Sequence, residues 1–202
     1  MLIHPTLDQL KSLRLTGMAK ALQEQLQMPD LDSLSFEQRI GLLVDREITE
    51  RENHRLSSRL KKARLRQSAA IEDVDYRHPR GLDKGLMATL QSCQWVHDHY
   101  NLIITGPTGT GKTFLACALA HKACRDGHSS LYLRIPRLFQ DLLIAKGDGR
   151  YTKLLSSYAK TDLLIFDEPG IWKDRGLTQH DRSKIMNGLD RLTGNTEGRG
   201  RK

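Results

Sequence analysis

Residues 106–113 read Gly-Pro-Thr-Gly-Thr-Gly-Lys-Thr and fit the pattern G-x-x-x-x-G-K-[ST]. No other stretch constrains this chain so tightly, because the string works only where it follows a strand and opens a helix. Both neighbours are predicted. Asn101 to Thr105 (NLIIT) is a short apolar run ended by Gly-Pro, as buried strands are, and Lys112 to Arg125 carries a helical pattern. The residue types match the chemistry. A triphosphate spreads negative charge over many oxygens, and the backbone N–H groups of a tight loop can surround them. Gly106, Gly109 and Gly111 permit positive φ and leave no Cβ between backbone and phosphate, while Pro107, Thr108 and Thr110 complete the loop. Lys112 offers a point charge to the β- and γ-phosphates, and the Thr113 hydroxyl is a hard oxygen ligand suited to Mg²⁺.

A second signal is Leu163-Leu164-Ile165-Phe166-Asp167-Glu168, an apolar strand ending in two carboxylates. Alone it could be any solvated strand end. Two strands after a phosphate loop, Asp167 can hold the metal through water, and Glu168 can take a proton from the water attacking the γ-phosphate. The intervening pattern supports that placement. Ser130 to Ile135 reads as a strand, Pro136 to Ala145 and Arg150 to Lys160 as helices, and Thr161 to Glu168 as the third strand. Strand–helix–strand–helix–strand with continuous apolar strands predicts an α/β domain with a parallel sheet covered on both faces.

The first third reads differently. Apolar residues recur at helical spacing over 6–28, with Gly17 weakening the middle, so one helix or two short ones are expected. Ser35 caps a second helix, with Glu37 and Gln38 behind it and Phe36, Ile40, Leu43 and Val44 on one face; its polar, charged extension runs to about residue 67. Residues 68–82, with Pro79 and Gly81, break the periodicity and read as a linker. A short helix from about Lys84 to His97 follows. The expected organisation is a helical domain over 1–70, a linker and lead-in helix over 71–100, a phosphate-binding core over 101–170, and a short helix with a basic tail over 171–202.

Charge is distributed unevenly along that plan. The net charge is +8, with 12 basic and 9 acidic residues in 1–70, 12 and 11 in 71–170, and 8 and 4 in 171–202. The surplus sits in the flanks, as expected if they touch a polyanion. Arg51, Arg55, Arg59, Lys62 and Arg66 recur every three or four residues, a stripe matching phosphates along a nucleic-acid strand; Glu47, Glu50 and Glu52 near its start could instead make a salt-laced, solvated helix. Tyr76, Arg77 and His78 precede the core and could flank a base. Cys93, Cys117 and Cys124 form no CxxC pair and read as small buried hydrophobes of a reducing compartment. No run approaches the roughly 18 apolar residues of a membrane span, and the start has no secretory pattern, so a cytoplasmic protein is expected.

Together the phosphate loop, the start MLIHPTLDQLKSLRLTGMAKAL, YRHPRGLD at 76–83, LACALAHKACRDG at 115–127 and GDGRY at 147–151 resemble the IstB family of transposon helper ATPases. That family is related to the DnaC helicase loaders within the AAA+ class, and the likeness runs from about residue 1 to 170. The resemblance implies a P-loop NTPase that binds ATP and Mg²⁺ and works with a transposase on double-stranded DNA, assembling as a homo-oligomer. Its nucleotide contacts carry over onto Gly106 to Thr113, Asp167 and Glu168, with Lys112 and Glu168 serving the chemistry.

The resemblance also implies two further strands after Glu168 and an arginine reaching a neighbouring subunit's nucleotide. Residues 169–202 hold no apolar strand, only one plausible helix from Thr178 to Leu192, and Arg191 is the nearest arginine. The expectation is therefore an α/β core incomplete at its C-terminal end, with hydrolysis impaired. Two alternatives belong to other classes: a non-enzymatic remnant that binds DNA or transposase through its helical start, and a small-molecule kinase, for which no acceptor pocket or arginine-rich lid is visible.

Overall fold

A computed structural model describes residues 5–28, 33–77 and 81–167. The chain divides into two units, Met1–Ser58 and Arg59–Lys202.

The first unit is helical: α1 (Pro5–Ser12), α2 (Thr16–Gln25) and the greater part of α3 (Phe36–Ala63). Two short helices stand where the 6–28 pattern left one or two open, but Gly17 is not the break. The chain turns instead at Arg14, whose φ is 59°. Gly17 has another task in the first turn of α2. A Cβ there would lie 2.7 Å from both the Arg46 carbonyl oxygen and the Glu47 Cα, so only a glycine lets the two helix backbones pass this closely. Ser35 and Gln38 form the expected reciprocal cap of α3: the Gln38 N–H donates to Ser35 Oγ at 3.2 Å, and the Ser35 N–H donates to Gln38 Oε1 at 2.8 Å. Of the face expected to be apolar, only Leu43 is buried; Phe36, Ile40 and Val44 are exposed.

Helix α3 ends at Ala63, short of the expected residue 67, because Arg64 turns into the left-handed region at φ 50°. That turn brings Leu65 and Ala69 onto the core of the second unit. The stretch 68–82 is correspondingly more than a linker. Ala69, Ile71 and Val74 are buried, with a 3₁₀ turn at Ile71–Asp73. They pack with Met87, Cys117, Ala118, Leu119 and Tyr132 in the main core cluster. The expected helix over 84–97 is split at Cys93 (φ 55°) into α4 (Lys84–Gln91), capped by Asp83, and the single turn α5 (Gln94–His97).

Helix α6 (Lys112–Arg125) is the centre of this unit. Its Cys117, Ala118, Ala120, Ala123 and Cys124 are 0 % exposed, small side chains that let the surrounding elements approach. Strands β1 (Ser130–Arg134) and β2 (Leu163–Asp167) pair in parallel, Ser130 opposite Leu163 and Arg134 opposite Asp167. The crossover between them is α7 (Ile135–Gly147), with a proline in its first turn, and α8 (Tyr151–Ala159).

The expected three-stranded sheet is corrected to two strands among the described residues. Asn101–Thr105 forms no ladder, and of its apolar side chains Ile104 packs on the core while Ile103 is 75 % exposed. A strand exists only where a second backbone pairs with its N–H and C=O groups, and among the described residues neither β1 nor β2 pairs with this segment. No helix among the described residues is long and apolar enough to cross a membrane.

Candidate functional site

The loop 106–111 and the start of α6 form one local structure. Gly109 and Gly111 both have φ 87° and Gly106 has φ 153°, conformations that side-chain-bearing residues rarely adopt. Around Gly109 a Cβ would meet nothing within 4 Å, so it is the backbone conformation and not crowding that favours glycine there. Gly111 precedes α6, whose first N–H groups have no partner within the helix and form its positive end. The Lys112 side chain folds back over the loop, and its Nζ donates to the Gly106 and Pro107 carbonyl oxygens, each at 2.7 Å. Thr110 Oγ1 donates to the Pro107 carbonyl at 2.9 Å and holds the turn.

From the other side comes Asp167, the last residue of β2. Its Oδ1 lies 3.5 Å from Thr113 Oγ1, in the first turn of α6. Its Oδ2 accepts from Arg66 Nη1 at 3.1 Å and from the Tyr132 hydroxyl. Tyr132 is a buried residue of β1, and register explains its reach: it stands opposite Ile165, two residues before Asp167. Burial, and then the neighbouring carboxylate, push the Tyr132 phenol above its usual range, so it stays protonated and donates. Glu168, the expected proton acceptor, lies outside the described residues, as do His78, Arg191 and the helix expected over 178–192.

These donors decide what the site could hold. A hydroxyl and a carboxylate oxygen from two elements, 3.5 Å apart, converge beside a positive helix end as a set of hard oxygens. Mg²⁺ typically keeps several waters and leans on substrate phosphates, with only one or two carboxylates from the protein. Gly106, Pro107, Thr108, Gly109, Thr110, Gly111 and Lys112 would take the phosphates, and Thr113 and Asp167 the metal; the residues present fit a metal–nucleotide group.

The basic stripe is dispersed by the structure. Arg51 Nε donates to Glu47 Oε1 at 2.7 Å. Arg59 Nε donates at 2.8 Å to the carbonyl of Cys124, in the last turn of α6, where a cation opposes the negative helix end. Arg66 lies beyond the end of α3 and turns to Asp167, so it is not on the helix face at all. Only Arg55 and Lys62 of the five stand on α3 as exposed side chains without one of these contacts. Tyr76 is partly buried against the core with the Lys84 ammonium 5.8 Å from its ring centre, and the Arg77 N–H donates to Asp75 Oδ1 at 2.8 Å. Sequence reasoning missed Tyr132 and the role of Arg66. The first needs the β1–β2 register to be seen, and the second needs the left-handed turn at Arg64.

Comparison with known proteins gives a consistent picture. The model of the family described as IstB-like ATP binding protein matches residues 8–197. The chain is similar to the ATP-binding protein of insertion sequence IS1162 of Pseudomonas fluorescens, 49% identical over 187 residues, covering 92% of this chain and 81% of that protein. It is similar to the insertion-sequence ATP-binding protein y4pL of Sinorhizobium fredii, at 47% identity over 186 residues, covering 92% and 76%. More distantly it is similar to the ATP-binding protein of insertion sequence IS21 of Pseudomonas aeruginosa, at 32% over 164 residues, covering 81% and 61%.

Proposed function

The chain belongs to the IstB-like ATP-binding protein family, and from that premise we propose that it is a cytoplasmic helper ATPase acting with a transposase on double-stranded DNA in insertion-sequence transposition. The observation that carries the nucleotide part is the meeting of Thr113 and Asp167 beside the glycine loop. Here the loop amides and the N-terminal end of α6 bind the phosphates, and Lys112 exchanges its two carbonyl partners for phosphate oxygens. Thr113 and Asp167 orient the metal, whose contribution when bound is to neutralise charge building up between the β- and γ-phosphates. Glu168 accepts the proton of the attacking water.

Exposed Arg55 and Lys62 make the DNA contact, in a homo-oligomer whose copies follow the duplex. A fluorescent ATP analogue titrated with Mg²⁺ into the full chain tests the nucleotide part. Lys112→Ala is expected to weaken binding by roughly ten-fold or more, the worth of a charge-assisted hydrogen-bonding group. Equal affinity for the two proteins would remove the reading. For the DNA part, affinity for duplex should fall steeply with salt, and the slope should shrink in the Arg55→Ala, Lys62→Ala double variant.

A further inference from the structure

Among the described residues Arg66 is the one cation placed on the metal-side carboxylate, and its own chain segment holds it there. The left-handed Arg64 ends α3, Leu65 packs against the core, and Ala69 is buried, so the three residues around Arg66 fix its backbone. Its guanidinium, half exposed, reaches Asp167 Oδ2, the oxygen turned away from Thr113. A cation there neutralises a largely buried carboxylate that would otherwise stand charged at the end of β2. A divalent cation at Oδ1 would face the same guanidinium at close range and be repelled by it.

We propose that Arg66 is a counter-ion that holds Asp167 while the nucleotide site is empty and yields to the metal when Mg·ATP binds, so that the segment leaving α3 responds to the state of the site. The inference rests on reading Asp167 as the metal-side carboxylate. Tyr132 completes the device. It is buried and donates to the same oxygen, so the carboxylate keeps one anchor after Arg66 lets go. Arg66 therefore acts through Asp167, as a positioning residue, and the nucleotide's arrival is felt in residues 64–68.

The probe is Mn²⁺, titrated by electron paramagnetic resonance into the full chain with a non-hydrolysable ATP analogue. Arg66→Gln is expected to bind Mn²⁺ about five-fold more tightly at low salt, the scale of a half-exposed charge pair, and added salt should erode the gain. Arg66→Lys, which keeps the charge, should return most of the wild-type affinity, an outcome that mere loss of packing would not give. In the wild type, amide exchange over residues 64–68 should quicken when Mn²⁺ and the analogue are added together. Unchanged or weaker Mn²⁺ binding by Arg66→Gln overturns the proposal, as does exchange over 64–68 that ignores the metal. If the wild type takes up neither analogue nor Mn²⁺, the nucleotide reading itself has failed. Wild-type binding matched by Arg66→Gln condemns the counter-ion alone.

Discussion

Two carboxylates in this chain each have an arginine beside them and a helix start within reach, yet they are built for opposite ends. Glu47 is buried on α3; its Oε2 accepts the N–H groups of Gly17 at 2.7 Å and Met18 at 3.1 Å in the first turn of α2, while Oε1 accepts Arg51. Asp167 approaches the first turn of α6 too, but every hydrogen-bond partner described for it is a side chain: Thr113, Tyr132 and Arg66. Backbone amides cannot step aside without unfolding the turn, whereas side chains rotate. The first carboxylate is a rivet and the second a fitting that can change partners.

The largest effect expected from this contrast is in the rivet. Glu47→Ala leaves two buried-side amides of α2 unpaired and should cost roughly 3 kcal/mol. Urea melts followed by circular dichroism, with amide exchange of α2 as the local probe, would check it. Binding of the ATP analogue by the molecules still folded should be unchanged. A fall in analogue affinity as large as the fall in stability would mean the two carboxylates are not independent.

Next comes Gly17→Ala, whose Cβ would meet backbone at 2.7 Å that cannot yield without parting α2 from α3. A loss of about 2 kcal/mol is expected, in the range of overpacking penalties. The same glycine shows what is legible in a sequence and what is not. Composition marks Gly17 as a weak point in a helix, but its value lies in a close crossing with residues thirty positions away. Local signals did well: the Ser35 and Gln38 cap, the loop with its following helix, and the two strands β1 and β2 all stand where pattern placed them. Pairing did less well. NLIIT has the composition of a strand but no neighbouring ladder among the described residues, and Arg66 fits a helical stripe by number while the backbone has already turned at Arg64. The loop's side of the site could be read from spacing alone; the Tyr132 and Arg66 contacts depend on register and a left-handed turn, which no spacing encodes.

A pH series separates the carboxylates further. Burial pushes the Glu47 carboxyl up, but the Met18 and Gly17 amides and Arg51 outweigh it and leave it below its ordinary value of 4.5. With the folded value depressed, the unfolded chain binds protons first as pH falls. The stability Glu47 contributes is thus complete above the ordinary carboxylate range and drains away as pH drops through the folded value. Glu47→Gln should flatten that part of the acid-unfolding curve, measured by thermal melts between neutral pH and pH of about 3. An unaltered curve would assign the acid sensitivity elsewhere.

The smallest effect belongs to Tyr132→Phe. One hydrogen bond to a carboxylate is lost without a cavity, so stability should change by about 1 kcal/mol or less, since Arg66 remains on the same oxygen. Its expression is in Mn²⁺ binding, which should weaken by a few-fold as Asp167 loses its lasting anchor. Loss of stability as large as in Glu47→Ala would make the Asp167 cluster a second rivet and erase the distinction.

The Lys112 ammonium rests on two carbonyl oxygens of its own loop, and in the proposed role this would make nucleotide capture a barter. Each bond gained to a phosphate oxygen is set against one surrendered to Gly106 or Pro107, and both carbonyls must then be rehydrated. Calorimetry should accordingly register far less heat than a count of new phosphate contacts would suggest, and selectivity among nucleotides should come from shape and charge number.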